Sequence, residues 1–125
     1  EITNINEMIA SSEIVIDMGA KSIVLTSCHI ENELVSVFCL DDKEGWLFKV
    51  PLLLTSSNGA GDLFSALLSY YVCYMKMTLK SSVEKTVNTC WSVIKNSIHP
   101  DDIEVIKFLK SSFNERINIY SEKVI

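Results

Sequence analysis

Gly59 and Gly61, two of only four glycines in the chain, flank Ala60 and are followed at once by Asp62. Apolar residues then recur at helical spacing from Leu63 and Phe64 onward. Glycine lets the backbone enter the left-handed region, because no Cβ blocks it. A helix N-terminus placed there adds unpaired N–H groups and the positive end of the helix dipole. The run Ser57-Asn58-Gly59-Ala60-Gly61 is therefore a candidate anion pocket, most typically for a phosphate. An acid on the rim of such a pocket gains nothing from the anion, since like charges repel. Asp62 makes chemical sense as a base beside a transferring phosphoryl group. The bland alternative is an ordinary turn whose acid stabilises a helix start, by about 0.3–1 kcal/mol in general. The two roles are compatible.

Composition narrows the classes. With 125 residues the chain fits one domain. Nearly half of the residues are apolar, and glycine and proline are scarce, as in a globular chain. A formal charge of −5 argues against a general nucleic-acid binder. No apolar run reaches the roughly 18 residues of a membrane-spanning helix. No signal peptide is recognisable, and the expectation is a cytoplasmic protein. The four cysteines (Cys28, Cys39, Cys73 and Cys90) are far apart, and they read as small buried residues in a reducing compartment. His29 and His99 lack ligand spacing, and Asp41-Asp42 reads as a solvated turn, so no metal ligand is assigned. The chain opens without Met, which suggests processing or a part of something longer.

The elements that must position the loop follow from pattern. Asn4 and Glu7 have capping-box spacing. Ile5, Met8, Ile9, Ser12 and Ile16 trace one helical face, and Gly19 suits the residue after the helix. Ser22–Ser27 predicts a short strand buried on both faces. Asn32–Leu40 and Trp46–Val50 predict a hairpin, with Glu44-Gly45 as its turn. Pro51 permits an extended Leu52-Leu53-Leu54-Thr55 leading into the glycine loop. Asp62 to about Met77 predicts a central helix, buried all round. Tyr70, Tyr71 and Tyr74 follow helical spacing and read as packing. Ser81 and Glu84 repeat the capping-box spacing after a connection at Thr78–Lys80. Val83, Val87, Cys90, Trp91, Ile94 and Ile98 form the stripe of the helix that follows, which His99-Pro100 ends. Asp101–Phe113 predicts a third helix after the loop, and Ile117–Ile125 an edge strand. The order implies α/β layering, with a small sheet whose edges call for further strands.

Three stretches resemble the ribokinase-like superfamily of small-molecule kinases, and within it the pyridoxal kinases. Gly59-Ala60-Gly61-Asp62 matches the superfamily's Gly-Ala-Gly-Asp or Gly-Thr-Gly-Asp at the start of a buried helix. Leu63-Phe64-Ser65-Ala66-Leu67-Leu68 is similar to the Leu-Phe-Ala-Ala-Leu-Leu that continues it in pyridoxal kinases. Ile23-Val24-Leu25-Thr26-Ser27 resembles that family's Val-Val-Ile-Thr-Ser strand. Val83-Glu84-Lys85-Thr86-Val87-Asn88-Thr89 resembles its Glu-Lys-Thr-Val-Ser-Thr helix. The stretches stand in the family's order. The resemblance implies that residues 1–125 are the C-terminal, ATP-binding and catalytic portion of an α/β/α sandwich with a mostly parallel central sheet. The family's B6-vitamer pocket, flap and acids near Mg²⁺ belong to a first half with no counterpart here, so the isolated chain is expected to be incomplete.

By the same resemblance Asp62 is the catalytic base and touches the substrate hydroxyl. Gly59, Ala60 and Gly61 form the anion hole, with the N–H groups of Ala60, Gly61 and Asp62 turned toward the transferring oxygens. Thr26, Ser27, Asn58 and Val87 are the ATP neighbours. The implied reaction is transfer of the ATP γ-phosphoryl group to the 5′-hydroxyl of pyridoxal or a related B6 vitamer. It would use Mg²⁺ and a monovalent cation such as K⁺, in a homodimer when full length, with neither nucleic acid nor membrane as partner. The alternatives are a hydroxymethylpyrimidine or sugar kinase of the same superfamily, and a nucleotide-binding remnant without catalysis.

Overall fold

The computed structural model describes residues 2, 4–42, 44–53, 58–97 and 117–125. They fall into two compact units, Glu1–Leu52 with Ile119–Ile125, and Leu53–Asn118.

The first unit begins with helix α1, Ile5–Asp17. Asn4 caps it, its side-chain oxygen accepting the Glu7 N–H at 3.0 Å. Gly19 follows with φ 107°. The Gly19 N–H donates to Ile16 O at 2.8 Å and the Ala20 N–H to Val15 O at 3.3 Å. These are the two bonds of a Schellman close. Four antiparallel strands complete the unit in spatial order β1-β2-β3-β4: Ser22–Glu31, Leu34–Asp41, Glu44–Pro51 and Tyr120–Lys123.

Met8 of α1 packs with Phe38, Leu40 and Leu47 on one face of the sheet, and Ile5, Ile9, Ile16 and Leu25 surround them. Ser12 sits on this apolar face because its hydroxyl donates to Met8 O at 2.8 Å, which satisfies it. Val37, Cys39 and Phe48, on the opposite face, are buried as well. The last strand is tied on by backbone pairing and by charge. Lys49 meets Glu122 at 3.6 Å, and Lys123 pairs with Glu44. The Gly45 Cα faces Ile125, whose side chain would lie 2.9 Å from an added Cβ.

The second unit holds helix α2, Ala60–Ser69, one π-turn, Tyr70–Tyr74, and helix α3, Leu79–Asn96. The π-turn closes through the Met75 N–H on Tyr70 O at 3.0 Å. Helix α3 buries Val83, Thr86, Val87, Cys90 and Val93. The Asn88 side chain accepts the Ile117 N–H at 3.1 Å, fastening the start of the final segment to α3.

Several expectations need correction. The described sheet is antiparallel throughout, not mostly parallel. Residues Asn32-Glu33 join β1 to β2 as a two-residue turn, and parallel strands cannot be joined so briefly. Strand β1 extends to Glu31, and its Ile23, Val24 and Leu25 are only half-buried. The β2–β3 hairpin is as expected, but it turns at Asp42, with Gly45 inside β3 opposite Leu40. Helix α2 starts two residues before Asp62, gives way to the π-turn after Ser69, and buries none of its residues. A helix apolar on all sides needs neighbours on all sides, and among the described helices only α3 packs along it. Thr78, not Ser81, caps α3, its hydroxyl accepting the Ser81 N–H at 3.3 Å. Cys73 is exposed, whereas Cys39 and Cys90 are buried, and none of the four cysteines is in a disulfide. The expected edge strand at the end of the chain is β4. Leu54, Thr55, the His99-Pro100 stop and the Asp101–Phe113 helix lie outside the described residues.

The caps set two expected outcomes. Asn4→Ala should lower stability by about 1 kcal/mol. Gly19→Ala should cost a similar amount, roughly 1 kcal/mol, through its left-handed φ. Urea unfolding measures both. Burial pushes the Cys90 thiol from 9.0 up to about 12. The folded chain thus keeps a proton that the unfolded chain releases above pH 9.0. The stability held by the neutral thiol is complete below that pH and is lost as pH rises toward about 12. Comparing unfolding midpoints at about pH 7 and about pH 10.5, the parent should lose more stability than Cys90→Ala.

Candidate active site

Three helices are described, and they start in two ways. Asn4 in α1 and Thr78 in α3 each place a side-chain oxygen on an N–H of the first turn. Helix α2 instead starts from Gly59, with φ 84°, ψ −1° and no side-chain cap. Its first N–H groups belong to Ala60, Gly61 and Asp62, which have no acceptor one turn back within the helix. Gly59 is left-handed, Gly61 and Asp62 are exposed, and these N–H groups lie at the positive end of the helix. Around Gly61 there is open space, with nothing within 4 Å of an added Cβ. The Leu63 N–H on Gly59 O at 3.0 Å and the Ser65 hydroxyl on Gly61 O at 2.9 Å hold the first turn in shape.

Asp62 is the third residue of α2, exposed, in the first turn. Its carboxylate has no hydrogen bond or ion pair among the described residues. It is therefore not spent on capping its own helix. Asn58, also exposed, directly precedes the glycine. Asn58, Gly59, Ala60, Gly61 and Asp62 thus come together at the start of one helix, all but half-buried Ala60 exposed. This geometry can bind an anion on backbone N–H groups and present a carboxylate beside it.

Thr26 and Ser27 belong to the first unit. Both are exposed, at an irregularity of β1 where the register with β2 shifts between Leu25 and His29. They are not at the carboxyl end of a parallel strand. Ser27 has φ 52°, an uncommon conformation for a residue with a side chain. Neighbouring Cys28 donates its thiol to Ser36 O at 3.4 Å, and burial pushes that thiol upward. Val87 is only 4% exposed and is core of the second unit.

Sequence reasoning missed the Ser27 kink and the π-turn. No residue type signalled the first. The second carries Tyr70 and Tyr74 with rings stacked at 5.3 Å, and Lys85 reaches 5.8 Å over Tyr71. Among the described residues, no group of three or more His, Cys, Asp or Glu gathers as metal donors. No described helix is long and apolar enough to cross a membrane.

No protein-family model and no curated protein matches the chain. Solved structures do match in fold. Plasmodium falciparum PdxK, solved with AMP-PNP and PL, superposes with a TM-score of 0.85 at 22% identity, over 100% of this chain and 45% of its own. Staphylococcus aureus pyridoxal kinase, solved with AMP-PCP and pyridoxal, gives 0.83 at 17% identity, over 99% and 47%. A Bacteroides thetaiotaomicron protein assigned as a phosphomethylpyrimidine kinase gives 0.78 at 15% identity, over 97% and 44%. The chain spans less than half the length of these proteins. It is an α/β chain with the fold of the matching part of these structures.

The two glycines of the loop should respond differently to alanine. Gly59→Ala forces a Cβ into φ 84° and is expected to destabilise by about 1 kcal/mol. Gly61→Ala meets open space inside a helix and should be neutral or stabilising by up to about 1 kcal/mol. Equal losses in urea unfolding would contradict the left-handed start of α2.

Proposed function

We propose that this chain is the C-terminal, ATP-binding and catalytic portion of a pyridoxal kinase-like enzyme, and that Asp62 is its base. The observation that carries the reading is the start of α2. It is the described helix without a side-chain cap, opened by a left-handed glycine, with an unpaired acid in its first turn. The fold likeness to kinases solved with ATP analogues and pyridoxal supports it.

The proposed step is an in-line phosphoryl transfer. The 5′-hydroxyl oxygen of pyridoxal bonds to the γ-phosphorus of ATP, and the bond from that phosphorus to the β-bridging oxygen breaks. ADP leaves with the electron pair, and the hydroxyl proton passes to the Asp62 carboxylate. Gly59 sets the turn, and the N–H groups of Ala60, Gly61 and Asp62 donate to the equatorial oxygens as charge shifts among them. Thr26, Ser27, Asn58 and Val87 are the proposed ATP neighbours by the resemblance; the first three are exposed and Val87 is buried in α3. Mg²⁺ would supply charge neutralisation on the phosphates when bound. A monovalent cation such as K⁺, a homodimer and a cytoplasmic setting belong to the same reading.

A second reading, a hydroxymethylpyrimidine kinase, draws on the fold likeness to the Bacteroides protein. In the protein that carries this chain, Asp62→Asn is expected to lower phosphoryl transfer by roughly 10²–10⁴-fold. Affinity for a non-hydrolysable ATP analogue, read by calorimetry, should be nearly unchanged. Full turnover in that variant would overturn the base assignment. In a panel of pyridoxal, hydroxymethylpyrimidine and ribose, pyridoxal should show the highest kcat/KM; a different leader would replace the substrate and keep the kinase.

A further inference from the structure

We draw no further inference here: the strongest candidate, the exposed apolar patch of Tyr70, Tyr74 and Met75 at the π-turn after α2, carries nothing because no feature of the structure shows what covers it.

Discussion

Gly59 holds a conformation that residues with a Cβ avoid, and the start of α2 depends on it. An extended N-cap with an oxygen-bearing side chain would fold that side chain over the first turn, as Asn4 and Thr78 do. Such a cap satisfies the helix and closes it to ligands. A left-handed glycine does the opposite. It provides the reversal without an acceptor, so the N–H groups of Ala60, Gly61 and Asp62 stay available to something outside the helix. A phosphate is the group best matched to several convergent N–H donors at a positive helix end. The loop is therefore less stabilising than a capped start and more useful for binding.

A second constraint of the same kind organises the sheet. Asn32 and Glu33 both have positive φ, at 51° and 61°. Two such residues in succession give the turn whose twist suits a tight antiparallel hairpin. Asp42, at φ 51°, sits at the next reversal. With β1, β2 and β3 joined this closely, the pairing of Phe38 with Leu47 follows, and both point at Met8. The register is fixed because a slip by one residue would exchange this face for the one bearing Val37 and Phe48. Ser27 adds a fourth positive φ, in mid-strand at the register shift, beside the exposed hydroxyl side chain of Thr26.

Much of this was legible in the residues. The α1 cap, its apolar face and the Gly19 close were readable because capping and helical period are local. The β2–β3 hairpin was readable from two β-branched and aromatic runs flanking Asp41-Asp42. Its turn was misplaced because Gly45 suggests a reversal, whereas the structure uses it to admit Ile125. That reason is tertiary and leaves no local trace. The β1–β2 turn was missed because Asn32-Glu33 lacks the glycine that usually marks it. The all-apolar pattern of α2 gave a helix but not its exposure, since hydrophobicity states what a helix can bury and not what stands beside it. The helix began earlier than expected because a glycine N-cap gives no side-chain signal, and the acid at Asp62 drew the boundary to itself.

The same loop bears unequally on the two halves of the proposed reaction. In that proposal backbone N–H groups and one carboxylate would act on the phosphoryl group and on the attacking hydroxyl, which every substrate of such a kinase must offer. Contacts of that kind strengthen as charge moves, and in general such contacts raise the rate of transfer. Recognition of the rest of the substrate needs side chains fitted to its ring. The fold likeness shows the same division, because it extends both to proteins solved with pyridoxal and to one assigned to a pyrimidine. An identity of 15% to 22% reflects a shared fold and does not carry over the surface that reads a ring. Gly59 to Asp62 therefore argue for the transfer more strongly than for the vitamin. The preference for pyridoxal rests on the Glu84-Lys85-Thr86-Val87 stretch, whose Thr86 and Val87 are buried in α3.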